Sequence, residues 1–329
     1  FWKGPLSPLI LWISIVLLVF TIAKGSTIGG ANSSRWIYVF GMSFQTSALA
    51  NVALLIFLSR TLSKKEGDWK FKDSFKTLLW PIFIISGLVL PANLSTAILI
   101  FANSMILLFI GGYHFKHLAK ILGLGLMLLL GFVLIAKTIP DIMPNRVDTW
   151  ISRLETFASP VEDNENYQMN IAMTAIAEGK ITGMGPGRGL HKHFLPQNNS
   201  DFIYATIVEE YGLIGGSTIL LMYLWFMLAC VRVTRRAKDL FGRLIVISLS
   251  FSILLQAMIN MAVATSLLPV TGQTLPLVSA GGSSIWMTCI AIGIILSVSR
   301  GRGDGDNADP DVQISVSYTH LTLPTTGVV

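Results

Sequence analysis

The stretch LSPLILWISIVLLVFTIA, residues 6–23, decides the fold class, because it carries no charged residue over nearly the length that crosses a bilayer, about 20 helical residues. Seven further apolar runs follow it, most of them separated by segments with charged residues, whereas the runs 77–91 and 94–112 are separated only by a tight turn at Pro-Ala-Asn. The sequence therefore predicts an all-α polytopic integral membrane protein with about eight transmembrane helices. We place these helices at residues 6–23, 44–60, 77–91, 94–112, 118–137, 207–231, 244–264 and 283–299.

The composition agrees with a membrane protein and excludes a soluble globular domain. Of the 329 residues, 52% are hydrophobic and 13% are charged, whereas soluble domains carry about 25% charged residues. Basic residues in cytoplasmic loops explain the formal net charge of +6, so no nucleic-acid partner is expected. Cys230 and Cys289 lie inside apolar runs and imply no disulfide framework.

The distribution of basic residues predicts the orientation. Alternate loops hold 16 of the 24 Lys and Arg residues, and the richer set is expected to face the cytoplasm. The segment 138–206 belongs to the other set and is therefore predicted to be extracytoplasmic. Connections of this length between spans are uncommon and are often functional.

A glycine run, GMGPGRG at residues 183–189, stands out in this outer loop. It lacks the Gly-Lys-Ser/Thr ending of a P-loop and the spacing of a dinucleotide-binding turn, so we do not interpret it as a nucleotide site. Two interpretations remain open. The glycines permit a tight, re-entrant backbone, or the backbone amides and Arg188 approach an anionic group such as a pyrophosphate.

Several ionisable residues follow the glycine run. His191 and His193 form a His-x-His pair without a third ligand nearby in sequence, which favours a surface role over a metal site. Asp201 precedes an apolar helix, where it could cap the helix N-terminus or act as a catalytic carboxylate. Glu209 and Glu210 are expected near the membrane interface as a solvated or paired helix end.

Three motifs in this order resemble the SEDS family (shape, elongation, division and sporulation; FtsW, RodA and SpoVE), and in particular its FtsW-like branch. They are GMGPGRGLHKHFLPQNNSDFIYATIVEEYGLIGG at 183–216, LLPVTGQTLPLVSAGGSSIW at 267–286, and SSRWI at 33–37 followed by FQTS at 44–47.

Members of that family have ten spans, so the resemblance implies that the first two are missing from this chain. The SEDS-type membrane domain is expected at 1–303 and a polar tail at 304–329. From about residue 312 the tail resembles translated adaptor sequence and is expected to be non-native.

The resemblance implies a function. SEDS proteins polymerise lipid II, and their essential acidic residue corresponds to Asp201, which we expect to be the catalytic base. Basic residues would stabilise the departing pyrophosphate, and a hydrophobic groove would hold the polyprenyl tails. No cofactor is certain, although a divalent cation is an open option and no metal ligand is assigned. The residues expected to bind substrate are Arg35, Gln45, Arg188, Lys192, Thr271 and Ser283.

The resemblance also implies partners and a location. A class B penicillin-binding protein that crosslinks the glycan is the expected partner, together with other membrane proteins of the divisome. The expected location is the bacterial cytoplasmic (inner) membrane at the division septum. A lipid II flippase or other transporter, and a non-catalytic scaffold, remain alternatives. The near absence of charged residues at span centres counts against ion-coupled transport.

The chain departs from the family pattern at two places. Ala48 and Asn51 stand where many members have an acidic and a basic residue. The segment 91–96 (PANLST) lacks two carboxylates found in the corresponding family motif. Any contribution of those charges to a metal site or to helix pairing is therefore in doubt.

Overall fold

The computed structural model describes residues 4, 6–25, 36–39, 42–64, 74–138, 149–153, 157, 164–191 and 200–300. These residues form nine α-helices and one β-hairpin. In chain order the elements are α1 (Leu6–Lys24), β1 (Trp36–Val39), β2 (Met42–Gln45), α2 (Thr46–Lys64), a π-helical turn (Phe75–Leu79), α3 (Trp80–Val89), α4 (Leu94–Ile110), α5 (Phe115–Thr138), α6 (Asn164–Gly179), α7 (Ile203–Arg236), α8 (Leu240–Ala264) and α9 (Gly282–Arg300).

Eight of these helices are apolar and coincide with the eight predicted spans, which confirms an all-α polytopic membrane protein. Six of them, α1, α2, α5, α7, α8 and α9, are long and apolar enough to cross a membrane by themselves. The other two apolar helices are shorter. One is α3 together with part of the π-helical turn before it, Thr77–Val89, and the other is α4, Leu94–Ile110. The largest boundary error is in α7, which is longer at both ends than the predicted 207–231.

Helix α8 lies at the centre of the bundle and packs against α2, α4, α7 and α9. It is the most buried of the long apolar helices. Its buried surface carries Ser248, Ser250, Ser252 and Asn260 among aliphatic side chains. Buried polar groups require hydrogen-bond partners in a medium without water, so these residues indicate where the bundle holds polar contacts.

The sequence analysis missed two elements outside the membrane spans. Strands β1 and β2 form an antiparallel hairpin in which Trp36 pairs with Gln45, so residues 44–45, predicted as helix, are strand. Helix α6 lies within the loop predicted at 138–206 and packs against α7. Both elements were missed because neither contains the long apolar run that identifies a span.

A break in α7 shapes the outer loop. Gly212 has φ 68° and ψ −171° inside the helix, which removes the regular hydrogen bonds of the neighbouring turn. The freed carbonyls of Glu209 and Glu210 accept hydrogen bonds from the amides of Met184 and Gly185. In return, the freed amides of Leu213 and Ile214 donate to the carbonyls of Lys180 and Ile181. The loop after α6 is therefore paired with the break in α7 through backbone hydrogen bonds.

This pairing requires glycine on both sides. A Cβ at Gly212 would lie 2.2 Å from the carbonyl oxygen of Ile181, and one at Gly183 would lie 2.3 Å from that of Glu210. Both glycines also have positive φ, a conformation that residues other than glycine rarely adopt. The glycine run is thus a tight backbone connection, which was one of the two interpretations left open by the sequence.

We expect Gly212→Ala to destabilise the protein by about 3 kcal/mol or more, because it adds both backbone strain and a steric clash. Gly293→Ala in α9 is the matched control, since a Cβ there meets nothing within 4 Å. Thermal unfolding of the detergent-solubilised protein measures both. Equal midpoints for the two variants would contradict the close backbone approach.

Candidate active site

Asp201 lines a cavity of about 380 Å³ at the end of the bundle that carries the outer loop. The cavity is bounded by the hairpin, the first turns of α2 and α4, the middle of α8 and the loop between α8 and α9. The N-cap residue of α7 is Phe202, whose side chain makes no capping hydrogen bond. Asp201 therefore does not occupy the N-cap position, which the sequence left as one alternative for it.

The cavity is polar although it extends between apolar helices. Among the described residues that line it, Asp201 is the only ionisable one. The other polar lining residues are neutral amides and hydroxyls, which can donate and accept hydrogen bonds. They are Ser43, Gln45, Ser47, Asn51, Thr96, Ser200, Gln256, Gln273, Thr274 and Ser284.

Three of the predicted substrate-binding residues lie in or beside this cavity. Gln45 lines it, and its backbone amide donates to the Oγ of Ser283 over 3.1 Å. Thr271 precedes the lining residue Gly272, and the hydroxyl of Thr271 is buried without a partner among the described residues. Sequence motifs separated by more than 200 residues thus meet at one site.

Of the other three predicted substrate-binding residues, the structure describes only Arg188. Arg188 is exposed on the glycine loop and does not line the cavity. Arg35, Lys192 and the neighbouring His193 lie outside the described residues.

The backbone amides of the glycine loop make internal hydrogen bonds. Gly183, Met184, Gly185 and Arg188 donate to backbone carbonyls, whereas Leu190 donates to the carboxylate of Glu209. These amides are therefore already hydrogen-bonded, and the interpretation in which they bind a pyrophosphate is not supported.

Asn260 connects the segment of Asp201 to the loop between α8 and α9. Its side-chain amide donates to the carbonyl of Asp201 over 2.9 Å and to the carbonyl of Gln273 over 2.7 Å. Asn260 is almost fully buried, at 1% exposed. Its two hydrogen bonds therefore fix the backbone of Asp201 relative to the loop between α8 and α9.

Further hydrogen bonds hold the same two segments together. The hydroxyl of Ser279 donates to the carbonyl of Ser200 over 2.6 Å and accepts from the amide of Leu275 over 2.7 Å. Gln273 donates to the hydroxyl of Thr96 in α4 over 2.8 Å. The backbone around Asp201 is thereby tied to α4 and α8 as well as to the loop.

The sequence analysis did not identify Gln256, Asn260, Gln273 and Ser279 as site residues. A signal was present for two of them, because Gln256 and Asn260 are amides spaced i, i+4 within an apolar run and so share one helix face. Polar residues inside a span are costly and commonly functional. Gln273 and Ser279 could not be distinguished from ordinary loop residues without their contacts.

Glu209 lies apart from the cavity and is fully buried. Its Oε1 accepts from the amides of Leu190 and His191 over 2.7 and 3.0 Å, and the His191 Nδ1 lies 3.0 Å away. Of the two predicted environments for Glu209, paired is correct and solvated is wrong. His191 is paired with this carboxylate and with Glu178, 3.6 Å away, so the expectation of a simple surface role for His191 is also wrong.

A second cavity, of about 420 Å³, is an apolar groove between α3, α4 and α5. Phe83, Leu90, Phe101, Leu126 and Phe132 are among its lining residues. Most side chains of α5 are exposed, because this helix packs only lightly on α4. The apolar lining of the groove is suited to an alkyl chain.

Comparisons with known proteins agree with the family resemblance of the sequence motifs. The family FtsW/RodA/SpoVE, described as cell cycle protein, matches residues 2–303. Stage V sporulation protein E of Bacillus subtilis is 32% identical over 89% of this chain and 78% of its own length. "Probable peptidoglycan glycosyltransferase FtsW" of Nitrosococcus halophilus is 33% identical over 91% of this chain and 76% of its own length.

Two solved structures share the fold. One, from work titled "Structural coordination of polymerization and crosslinking by a peptidoglycan synthase complex", has a TM-score of 0.70 and 25% identity, covering 90% of this chain and 81% of the other. Rod shape determining protein RodA of Thermus thermophilus has a TM-score of 0.63 and 22% identity, covering 90% and 78%. At that identity RodA supports the fold alone.

We expect Asn260→Leu to loosen the site by leaving two buried carbonyls unpaired, at about 1–3 kcal/mol. Hydrogen–deuterium exchange should increase at residues 270–281. Asn103→Leu is the matched control, because Asn103 is also buried but donates to Ser252. Unchanged exchange at 270–281 in Asn260→Leu would contradict the role of Asn260.

Proposed function

The chain belongs to the FtsW/RodA/SpoVE family of membrane proteins, and on this premise we propose that it is a peptidoglycan glycosyltransferase that polymerises lipid II. The observation that carries the proposal is the position of Asp201, the one ionisable residue among the described lining of a polar cavity. This cavity is large enough to hold part of a sugar, and its neutral amides and hydroxyls are suited to bind sugar hydroxyls.

Asp201 acts as the general base in the proposed reaction. The acceptor sugar hydroxyl attacks the anomeric carbon of the lipid-linked donor while the carboxylate removes its proton. A new glycosidic bond forms as the bond between the anomeric carbon and the pyrophosphate oxygen breaks. The polyprenyl pyrophosphate leaves with the bonding electrons. Asn260 and Ser279 keep the backbone of the base in place through their bonds to Asp201 and Ser200.

Neutral side chains orient the sugar, and basic residues stabilise the departing pyrophosphate. Gln45, Thr271 and Ser283 lie in or beside the cavity and are our candidates for the first task. Arg35, Arg188 and Lys192 remain candidates for the second, since developing negative charge is stabilised by cations. The exposed position of Arg188 is compatible with contact to a group outside the cavity.

The residues that line the cavity could hold a divalent cation only if the substrate supplied further ligands. The described lining offers one carboxylate and several neutral oxygens, and Mg²⁺ is commonly held by one or two carboxylates together with substrate phosphates. Asp201 and Gln45 would be the protein ligands. Such a cation would supply charge neutralisation to the leaving pyrophosphate.

The apolar groove between α3, α4 and α5 is our candidate for the polyprenyl tail of a substrate. Burial of each methylene group in such a groove contributes about 0.8 kcal/mol. The groove and the cavity share α4, so one lipid-linked molecule could place its tail and its sugar on neighbouring faces of this helix.

We also propose that the protein works with a class B penicillin-binding protein transpeptidase at the septum, in the bacterial inner membrane. The relatives named FtsW and the solved peptidoglycan synthase complex support such a partner. Association with other divisome membrane proteins is part of the same proposal.

We expect Asp201→Asn to lower lipid II polymerisation by about 100-fold or more, because a general base contributes roughly 10²–10⁴ to the rate. The assay uses the protein with its transpeptidase partner and measures the length and amount of glycan. Asp239→Asn is the matched control, since Asp239 is the N-cap of α8, at the opposite end of that helix from Asn260 and the Asp201 segment.

Each outcome of this experiment has a distinct meaning. Full activity in a folded Asp201→Asn variant would refute the base assignment. An absence of polymer from the wild type together with lipid translocation would favour the flippase alternative. A wild type that makes no polymer and moves no lipid, yet binds its partner, would favour the scaffold.

Filling the groove should weaken substrate binding without altering the chemistry. A Cβ at Gly87 in the groove meets nothing within 4 Å, so Gly87→Phe projects a ring into the groove. Displacing about two methylenes, at ~0.8 kcal/mol each, raises KM for lipid II roughly tenfold with kcat little changed. Gly293→Phe, at an exposed position of α9, is the matched control. Equal KM values for the two variants would exclude the groove as the tail site.

A further inference from the structure

Three ionisable side chains converge at a position separate from the cavity. Glu178 comes from the last turn of α6, His191 from the end of the glycine loop and Glu209 from α7. The His191 Nδ1 lies 3.0 Å from Glu209 Oε1 and 3.6 Å from Glu178 Oε2. One donor atom from each residue lies within 4.8 Å of the other two. None of these residues has a part in the proposed glycosyl transfer.

The buried carboxylate of Glu209 points independently to a bound cation. Its side chain is fully buried, and its Oε2 has no hydrogen-bond partner among the described residues. A Cβ at Gly189 would lie 2.7 Å from this Oε2. The backbone at residue 189 can therefore pack this close to the carboxylate only because glycine has no side chain. A buried carboxylate with one unsatisfied oxygen is costly unless a cation compensates for it.

The separations between donor atoms match a small transition-metal ion. Zn²⁺ binds imidazole nitrogen and carboxylate oxygen at about 2.0–2.2 Å with tetrahedral geometry, which places donor atoms about 3.3–3.6 Å apart. His191 Nδ1 lies 3.0 Å from Glu209 Oε1 and 3.6 Å from Glu178 Oε2, which is close to that value, and the unpaired Oε2 belongs to the same Glu209 carboxylate. One imidazole with two carboxylates suits Zn²⁺ better than Mg²⁺ or Ca²⁺, which prefer oxygen-only sites.

We propose that Glu178, His191 and Glu209 form a Zn²⁺-binding site in the outer loop, distinct from the site of glycosyl transfer. The side chain of Glu178 is 40% exposed, which leaves an open position for a water ligand and for entry of the ion. The site joins α6, the glycine loop and α7 through one ion. Zn²⁺ therefore stabilises the same connection that the backbone hydrogen bonds around Gly212 make.

The test is metal binding by the purified protein, with any histidine tag removed. Co²⁺, which reports its ligands by visible absorption, and Zn²⁺ are titrated in turn, and bound metal per chain is measured after dialysis. We expect one ion per chain, a rise in the unfolding midpoint with Zn²⁺, and no displacement by Mg²⁺. His191→Ala and Glu178→Gln should each weaken binding tenfold or more. Glu210→Gln, the adjacent carboxylate outside the cluster, is the matched control.

Glu178→Gln keeps the test independent of folding, because this side chain is 40% exposed and glutamine has nearly the same shape. Binding that is unchanged in both His191→Ala and Glu178→Gln would overturn the proposal. So would a wild type that binds no Zn²⁺, and the His191–Glu209 pair would then account for the buried carboxylate. Displacement of the ion by Mg²⁺ would overturn the assignment to a transition metal. No outcome depends on polymerisation.

Discussion

Four backbone groups of α7 cannot be satisfied within the helix once Gly212 leaves the helical conformation, and their pairing organises the outer half of the molecule. At the edge of a bilayer, unpaired amides and carbonyls are too costly to leave exposed to lipid. The loop after α6 supplies partners for all four. This pairing places His191 against Glu209 and fixes the start of the segment that leads to Asp201.

A second set of hydrogen bonds performs the corresponding task inside the bundle. Asn260, Gln273 and Ser279 connect the Asp201 segment to α4, α8 and the following loop. All these groups are neutral, so they satisfy one another without the desolvation cost of burying charge. The described lining of the cavity is consequently an uncharged, hydrogen-bonded frame around one carboxylate, and such preorganisation is what electrostatic and acid–base catalysis require.

The sequence predicted those features that depend on local composition. The eight apolar helices follow from runs such as 6–23 because hydropathy is a property of neighbouring residues. Asp201 was a candidate carboxylate from its place before an apolar helix, and the family resemblance made it the expected base. Its position in a cavity depends on Gln45 and Gln273, which are far away in sequence. Helix α6 and the cluster around Glu209 were missed for the same reason, since both depend on contacts with α7. The β-hairpin pairs neighbouring residues and was missed because residues 44–45 adjoin an apolar run.

The departures from the family pattern clarify what the charges at those positions are needed for. Asn93 caps α4 by accepting from the amide of Thr96 over 3.3 Å, which a neutral amide does as readily as a carboxylate. Asn51 donates to Ser252 over 2.9 Å and lines the cavity. Asn51 and Asn93 thus make hydrogen bonds in this chain without carrying charge. The negative charge in the described part of the cavity then rests on Asp201 alone, which favours a base over a multi-carboxylate metal centre.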